Sequence, residues 1–244
     1  MNSLRAAWKL LRALPHVLAG LWTIATLFPR LSPSQKEARV QAWAREMLAR
    51  LAIQLVVRGE PPHNGPVLLV ANHISWLDIL VMHAARYCRF VSKADVKRWP
   101  LIGTLADAAG TLYIERELRR DAMRVVHHMA ERLRAGDVLA VFPEGTTGDG
   151  AALLPFHANL IQAAISAGTP VQPLALQFVD AATGQRSAAP CYNGDDTLLG
   201  SLWRTLTASS IAAVVTFGEP QQADGRDRRT WAADLRREVD GLRR

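Results

Sequence analysis

Cysteine is scarce: Cys88 and Cys191 are the only two in 244 residues. That excludes a disulfide scaffold and a four-cysteine zinc site. It fits a reducing compartment, or a membrane face exposed to one. Long apolar runs are also missing from the N-terminal region. The stretch Ala13 to Pro29 carries no Asp, Glu, Lys or Arg, but it contains Pro15 and His16. It falls short of the roughly 20 apolar residues that a spanning helix needs. No Gly-x-Ser-x-Gly nucleophile elbow occurs. Internal repeats, low-complexity tracts and a clear interdomain linker are absent. The chain is 49% hydrophobic and 21% charged, which excludes a disordered or collagen-like polymer. Its length suits one sizeable domain.

Acidic residues are in short supply at the two ends. The net charge is +7, yet residues 1–50 alone carry +6, residues 226–244 carry +3, and residues 51–225 carry −2. A basic end on a balanced body suggests attraction to anionic lipid. A nucleic-acid protein would show a contiguous basic face with interleaved aromatics, so no nucleic-acid partner is expected. Arg5, Lys9 and Arg12 recur at helical spacing, and Leu4, Trp8 and Leu11 recur on the opposite side. This predicts a basic amphipathic helix suited to an interface. Leu27-Phe28-Pro29-Arg30 makes a poor signal-peptide cleavage site. A monotopic anchor dipping into one leaflet is expected.

Ser32 and Ser34 can cap a helix running to about Leu55. Beyond it strands and helices alternate. Strands are expected at Gln54–Val57, Val67–Val70, Arg89–Ser92, Thr111–Ile114, Val138–Phe142, Val171–Val179 and Ala212–Phe217. Helices are expected at Leu77–Ala85, Leu118–Arg134, Ala158–Ala167 and around Trp231–Leu242, and Asp195-Asp196 suit a further helix start. The fold class is α/β: a single mixed, largely parallel sheet flanked by helices, with an N-terminal membrane-docking helical segment. Residues 1–58 form that segment and 59–244 the α/β domain.

In such sheets sites gather where strands end. After Val67–Val70 comes Asn72-His73-Ile74-Ser75-Trp76-Leu77-Asp78; after Val138–Val141 comes Phe142-Pro143-Glu144-Gly145-Thr146-Thr147. With a helix beginning near Ser75, the Asp78 carboxylate can reach back to one imidazole nitrogen of His73. It would fix the tautomer and raise the basicity of the other nitrogen. A His–Asp pair without a nucleophile suits direct base catalysis on a hydroxyl or water. One His and one Asp lack the further ligands of a metal site, so no metal is expected. Glu144 can bind acceptor hydroxyls or support its loop. Gly145 lets backbone N–H groups approach a substrate, and Thr146 and Thr147 add hydroxyls.

Together these segments resemble the lysophosphatidic acid acyltransferase family, the 1-acyl-glycerol-3-phosphate O-acyltransferases and related glycerolipid acyltransferases. Two further blocks resemble the family in order. One is Lys93 with Pro100-Leu101-Ile102-Gly103 and then Gly110-Thr111-Leu112-Tyr113-Ile114-Glu115-Arg116. The other is Gly168-Thr169-Pro170-Val171-Gln172-Pro173. The likeness spans about Val67 to Leu176, and the N-terminal helices resemble the family's membrane-docking pair.

The resemblance implies acyl transfer from acyl-CoA or acyl carrier protein, as co-substrate and with no other cofactor, to the free hydroxyl of a lysolipid at the cytoplasmic face of a membrane. His73 is then the general base, oriented by Asp78. Asn72, Ser75, Glu144, Gly145, Thr146 and Thr147 contribute to substrate binding. Arg116 and, more weakly, Lys93 grip an anionic headgroup, while Pro173 lies on the acyl side. The first acceptor implied is 1-acyl-sn-glycerol-3-phosphate, giving phosphatidic acid. Glycerophosphate members commonly carry Arg where Thr147 stands. The run from Phe142 to Gly150 with Leu154-Pro155-Phe156 looks more like the lyso-ornithine lipid acyltransferase branch, and Asp149 suits a cationic amine. A non-catalytic lipid-binding membrane protein is the alternative from another class; intact His73, Asp78 and Glu144 argue against it.

Overall fold

The computed structural model describes residues 2–114, 119–194 and 196–244, with side chains at all of these except 114 and 119–122. Expectations at Glu115, Arg116, Leu118 and Asp195 therefore lie outside the described residues.

The chain begins with α1 (Asn2–Thr26), which carries Pro15 inside it. Helix α2 (Pro33–Arg50) starts at Ser32, whose side chain accepts from the Gln35 N–H while Gln35 reaches back to the Ser32 N–H. This reciprocal cap satisfies two otherwise orphaned donors. The helix stops at Arg50 rather than Leu55, because Ala52 takes a left-handed φ of 55° and turns the chain into β1 (Ile53–Arg58).

Then follow β2 (Val67–Ala71), α3 (Leu77–Ala85), β3 (Arg89–Lys93), α4 (Ile102–Ala108), β4 (Leu112–Ile114), α5 (Arg119–Arg134), β5 (Val138–Val141), α6 (Ile161–Ala167), β6 (Val171–Val179), α7 (Leu198–Thr207), β7 (Ile211–Phe217) and α8 (Arg228–Leu242). The sequence pattern does not foresee α4. Helix α6 starts three residues later than expected, after a turn at 158–160; before it the His157 N–H donates to the Pro143 carbonyl at 2.8 Å.

The sheet has seven strands in the order β1-β7-β6-β2-β5-β3-β4. Every pairing is parallel except β6 with β7. The α/β mixed sheet, largely parallel and flanked by helices, is as expected. Strands β2 and β5 are buried along their whole length, which is why they read as unbroken apolar runs. Their side chains alternate between two cores. Leu69, Ala71 and Ala140 pack beneath α1, α2 and α3. Leu68, Val70, Leu139 and Val141 pack beneath α5, α6 and α8.

The strand order places the site. From β2 the chain crosses to β3 on one side; from β5 it crosses to β6 on the other. The carboxyl ends of β2 and β5 therefore flank a switch point, where a crevice opens above an open sheet.

Candidate active site

The two polar loops follow β2 and β5. The β2–β5 register pairs Val67 with Val138 through Val70 with Val141. Continued past the strand ends, the same offset sets His73 beside Glu144. The His73 N–H donates to Glu144 Oε1 at 2.7 Å, and the Leu154 N–H donates to Oε2 at 2.8 Å. Glu144 is buried, so each carboxylate oxygen is occupied by a backbone donor and the residue ties the loops together. Burial pushes its carboxyl pKa up, against the two N–H groups that hold it down. The loop-supporting role is the one this geometry shows.

Asp78 lies in the first turn of α3 and is fully buried. Its Oδ2 receives the Ile74 N–H at 2.6 Å and the Ser75 N–H at 2.9 Å, and sits 2.8 Å from His73 Nδ1. Two backbone donors and a helix N-terminus stabilise the carboxylate. With an ionised Asp78, His73 Nδ1 is the protonated nitrogen and Nε2 is left as the acceptor. The imidazole stacks on Phe142, centroids 4.0 Å apart and planes 8° apart, and Phe142 in turn stacks on Phe90 at 5.7 Å. The ring is therefore held at one edge by Asp78 and on one face by Phe142. Its side chain remains 20% exposed.

Other predicted residues hold this loop. The Asn72 side chain donates to the Leu176 carbonyl at 3.0 Å and accepts from the Leu176 N–H at 2.7 Å, so it extends the ladder onto β6. Ser75 Oγ donates to the Pro190 carbonyl at 2.5 Å and accepts from the Leu77 N–H at 3.1 Å. The Gly148 N–H donates to the His73 carbonyl at 2.8 Å. Gly145 has φ +73°, a backbone conformation that favours glycine, and a Cβ there would lie 3.2 Å from the His157 ring, which would have to shift.

Thr146 is exposed and Thr147 half-buried. Neither of their backbone N–H groups has a hydrogen-bond partner among the described residues. Lys93 is exposed at the end of β3. Pro173 lies on β6 opposite Val70, and its carbonyl accepts from the Gly218 N–H. Arg116 is outside the described residues. His127 and His128 are exposed on α5. No group of three His, Cys, Asp or Glu suited to a metal occurs among the described residues.

Sequence reasoning missed Phe142 as the platform for His73. An aromatic directly after a buried strand was the available signal. It also missed the burial of Lys9, placed with the basic face of α1; Leu4, Trp8 and Leu11, placed on the side suited to an interface, are exposed, as are Leu18 and Trp22, at 59–77%. Lys9 Nζ donates to the Thr205 and Ala208 carbonyls at 3.4 and 3.2 Å, at the C-terminal end of α7. A cation suits that end of a helix. No helix among the described residues is long and apolar enough to cross a membrane.

Comparison with known proteins sharpens the likeness. The family model described as Acyltransferase matches residues 53–177. A 1-acyl-sn-glycerol-3-phosphate acyltransferase of Neisseria gonorrhoeae is 40% identical over 186 residues, covering 76% of this chain and 72% of that protein. A lyso-ornithine lipid O-acyltransferase of Pseudomonas aeruginosa is 39% identical over 197 residues, covering 81% and 75%. The crystal structure of the 1-acyl-sn-glycerophosphate acyltransferase PlsC from Thermotoga maritima superposes with a TM-score of 0.72, over 99% of this chain and 95% of that one. At 18% identity that likeness speaks to the fold.

Proposed function

The chain belongs to the acyltransferase family and is an acyltransferase enzyme, and from that premise we propose that it esterifies a lysolipid hydroxyl with His73 as general base. The observation that carries this is the His73–Asp78 pair, with the neighbouring Ser75 hydroxyl committed to the Pro190 carbonyl and the Leu77 N–H. An alcohol is a poor nucleophile while protonated. His73 Nε2 takes its proton as the oxygen attacks the carbonyl of an acyl-CoA or acyl carrier protein thioester. Asp78 stabilises the imidazolium. The tetrahedral intermediate collapses with cleavage of the C–S bond, and the departing thiolate recovers the proton from His73. The unpartnered Thr146 and Thr147 N–H groups are the donors offered to the oxyanion.

Asn72, Ser75 and Glu144 act through His73 by holding its loop. Gly145, Thr146 and Thr147 border the acceptor. Arg116 and Lys93 supply cations for an anionic headgroup, and Pro173 belongs to the acyl side. The reaction calls for no cofactor beyond the thioester.

Lysophosphatidic acid is the first acceptor, supported by the name of the Neisseria relative. A lyso-ornithine lipid is the second reading, favoured by the neutral Thr147 beside the site and by the name of the Pseudomonas relative. The exposed apolar stripe of α1, together with the basic flanks, supports monotopic docking on an anionic bilayer through residues 1–58. The remainder, 59–244, carries the chemistry. Two free cysteines fit its cytoplasmic face.

Purified protein with labelled acyl thioester and a panel of lysolipids tests the reading. Transfer to lysophosphatidic acid or to lyso-ornithine lipid is expected. No transfer to any acceptor would overturn the enzyme assignment, and wild-type rates in His73→Ala would overturn the base.

A further inference from the structure

A third piece of chain, the run 148–154, braces the two loops of the site and touches them at both of its ends. The Gly148 N–H donates to the His73 carbonyl at 2.8 Å, and the Leu154 N–H donates to Glu144 Oε2 at 2.8 Å. Glu144 Oε1 in turn accepts the His73 N–H at 2.7 Å. The run has no regular secondary structure and turns through Gly150 at φ +75°. With no ladder of its own, its backbone groups must find partners elsewhere in the fold.

Those partners come from the far end of the chain. Helix α8 and Arg243, just after it, lie well beyond residue 177, where the match to the family model ends. Arg236 and Arg243 are seven positions apart, so they share one face of the helix. Arg236 Nε donates to the Leu154 carbonyl at 3.0 Å, and its Nη2 donates to the Leu153 carbonyl at 2.6 Å. Arg243 Nη2 donates to the Gly150 and Ala151 carbonyls. Between the two arginines, buried Val239 packs with Leu153 and Ala175. Arg243 is itself fixed: its Nη1 meets Asp240 at 3.3 Å, its carbonyl accepts from the Gln177 side chain at 2.5 Å, and its side chain is only 9% exposed. Asp149 is held separately, by Arg186 Nη1 on its carbonyl at 2.9 Å.

A helix that only closed the core would need its apolar face alone, and Trp231, Leu235 and Val239 supply that. The arginines do something further. Charged donors make the stronger hydrogen bonds, and here they take four carbonyls of one short run. Burial raises the Glu144 carboxyl pKa; the His73 and Leu154 N–H groups and the positive charge of Arg243 work against that rise. The guanidinium therefore lies close enough for the carboxylate to feel it. We propose that Arg236 and Arg243 are positioning residues for acyl transfer, clamping 150–154 so that the Gly148 and Leu154 N–H groups stay on His73 and Glu144. This rests on the acyl-transfer reading, and it makes α8 part of the frame of the active site.

The test uses the full chain with Arg236→Met, Arg243→Met and, as control, Arg237→Met, an exposed residue paired with Asp234. Methionine keeps much of the apolar stem and drops the donors. In the two clamp variants kcat should fall about tenfold, as small misplacements of a reacting group do, with KM within about twofold of wild type. Arg237→Met should match wild type. Arg236→Lys retains a charged donor and should recover part of the loss. Combined with Glu144→Gln, the Arg236→Met loss should be less than multiplicative, since both changes act on one contact. Hydrogen exchange of peptides covering 72–78 and 148–154 should be faster in the clamp variants, a readout that needs no turnover. Unchanged exchange there, wild-type kcat in both clamp variants, or fully multiplicative losses would overturn the proposal. Where one variant fails to fold, the other arginine and the lysine form decide it. A wild type inactive on every acceptor, with exchange still faster in the clamp variants, would overturn the acyl-transfer reading and leave the clamp standing.

Discussion

The His73 N–H meets Glu144 Oε1 at 2.7 Å across 71 residues of chain, the offset already fixed by the β2–β5 register. The base is placed by strand pairing first and by side chains second. Glu144 accepts one backbone donor on each oxygen. In Glu144→Gln one of those donors would face an NH₂ group. A buried donor left unpaired costs about 1–3 kcal/mol. If the misplacement of His73 is felt in the transition state, kcat should fall roughly tenfold to a hundredfold. Steady-state kinetics with thermal melts check this; a fall in Tm with unchanged kcat would confine Glu144 to stability alone.

His73→Ala removes the proton acceptor and should lower kcat by about 10²- to 10⁴-fold. The ring stacks on Phe142 but is partly exposed, so folding should be little affected. Asp78→Asn makes a sharper comparison. Its amide oxygen can still accept from Ile74 and Ser75, while the charge that stabilises the imidazolium is gone. It should retain a native circular dichroism spectrum and lose most of its activity. Near wild-type turnover in Asp78→Asn would sink the orienting role.

Much of this was readable before folding. Helix Leu77–Ala85 and strand Val171–Val179 match their expected bounds, because one begins at a polar turn and the other is a largely apolar stretch closed by Asp180. His73 and Asp78 were legible as a pair, since five residues across a helix start keep them together whatever the tertiary fold. The cleft of mixed charge between α1 and α7 was not. Asn2, Arg5, Asp149, Arg186 and Arg204 come from separate segments that meet only after α1 packs on α7. The end of α2 was hidden for another reason: the left-handed turn at Ala52 carries no glycine to mark it.

His83 sets an acid limit on stability. It is buried against Tyr87 and Phe90, and burial pushes its pKa from 6.5 down to about 4. Folding therefore favours the neutral ring. That contribution is present in full above the unfolded pKa and is lost as the pH falls through about 4, a difference of about 3 kcal/mol. The raised pKa of Glu144 acts in the opposite sense, adding stability as the pH falls. Comparison with His83→Phe isolates the histidine. Between pH 6.5 and 4 the wild-type Tm should drop more steeply than that of the variant. Parallel curves would refute the assignment.

Lys9 and the apolar stripe make separable demands on α1. Lys9 holds the helix to the protein through the Thr205 and Ala208 carbonyls. Leu4, Trp8, Leu11, Leu18 and Trp22 face away from it. Lys9→Met keeps the length of the side chain but leaves those carbonyls without their cation, and should lower Tm while sparing attachment to anionic vesicles. Trp8→Ser with Trp22→Ser removes aromatic area from the outward face only. It should leave the folding stability within about 0.5 kcal/mol of wild type, as surface changes do, and should shift protein from pelleted vesicles into the supernatant. Vesicle co-sedimentation beside thermal melts resolves the two. Unchanged sedimentation of the double variant would remove the stripe from membrane docking, since burial of those two rings is the apolar gain that docking would draw on.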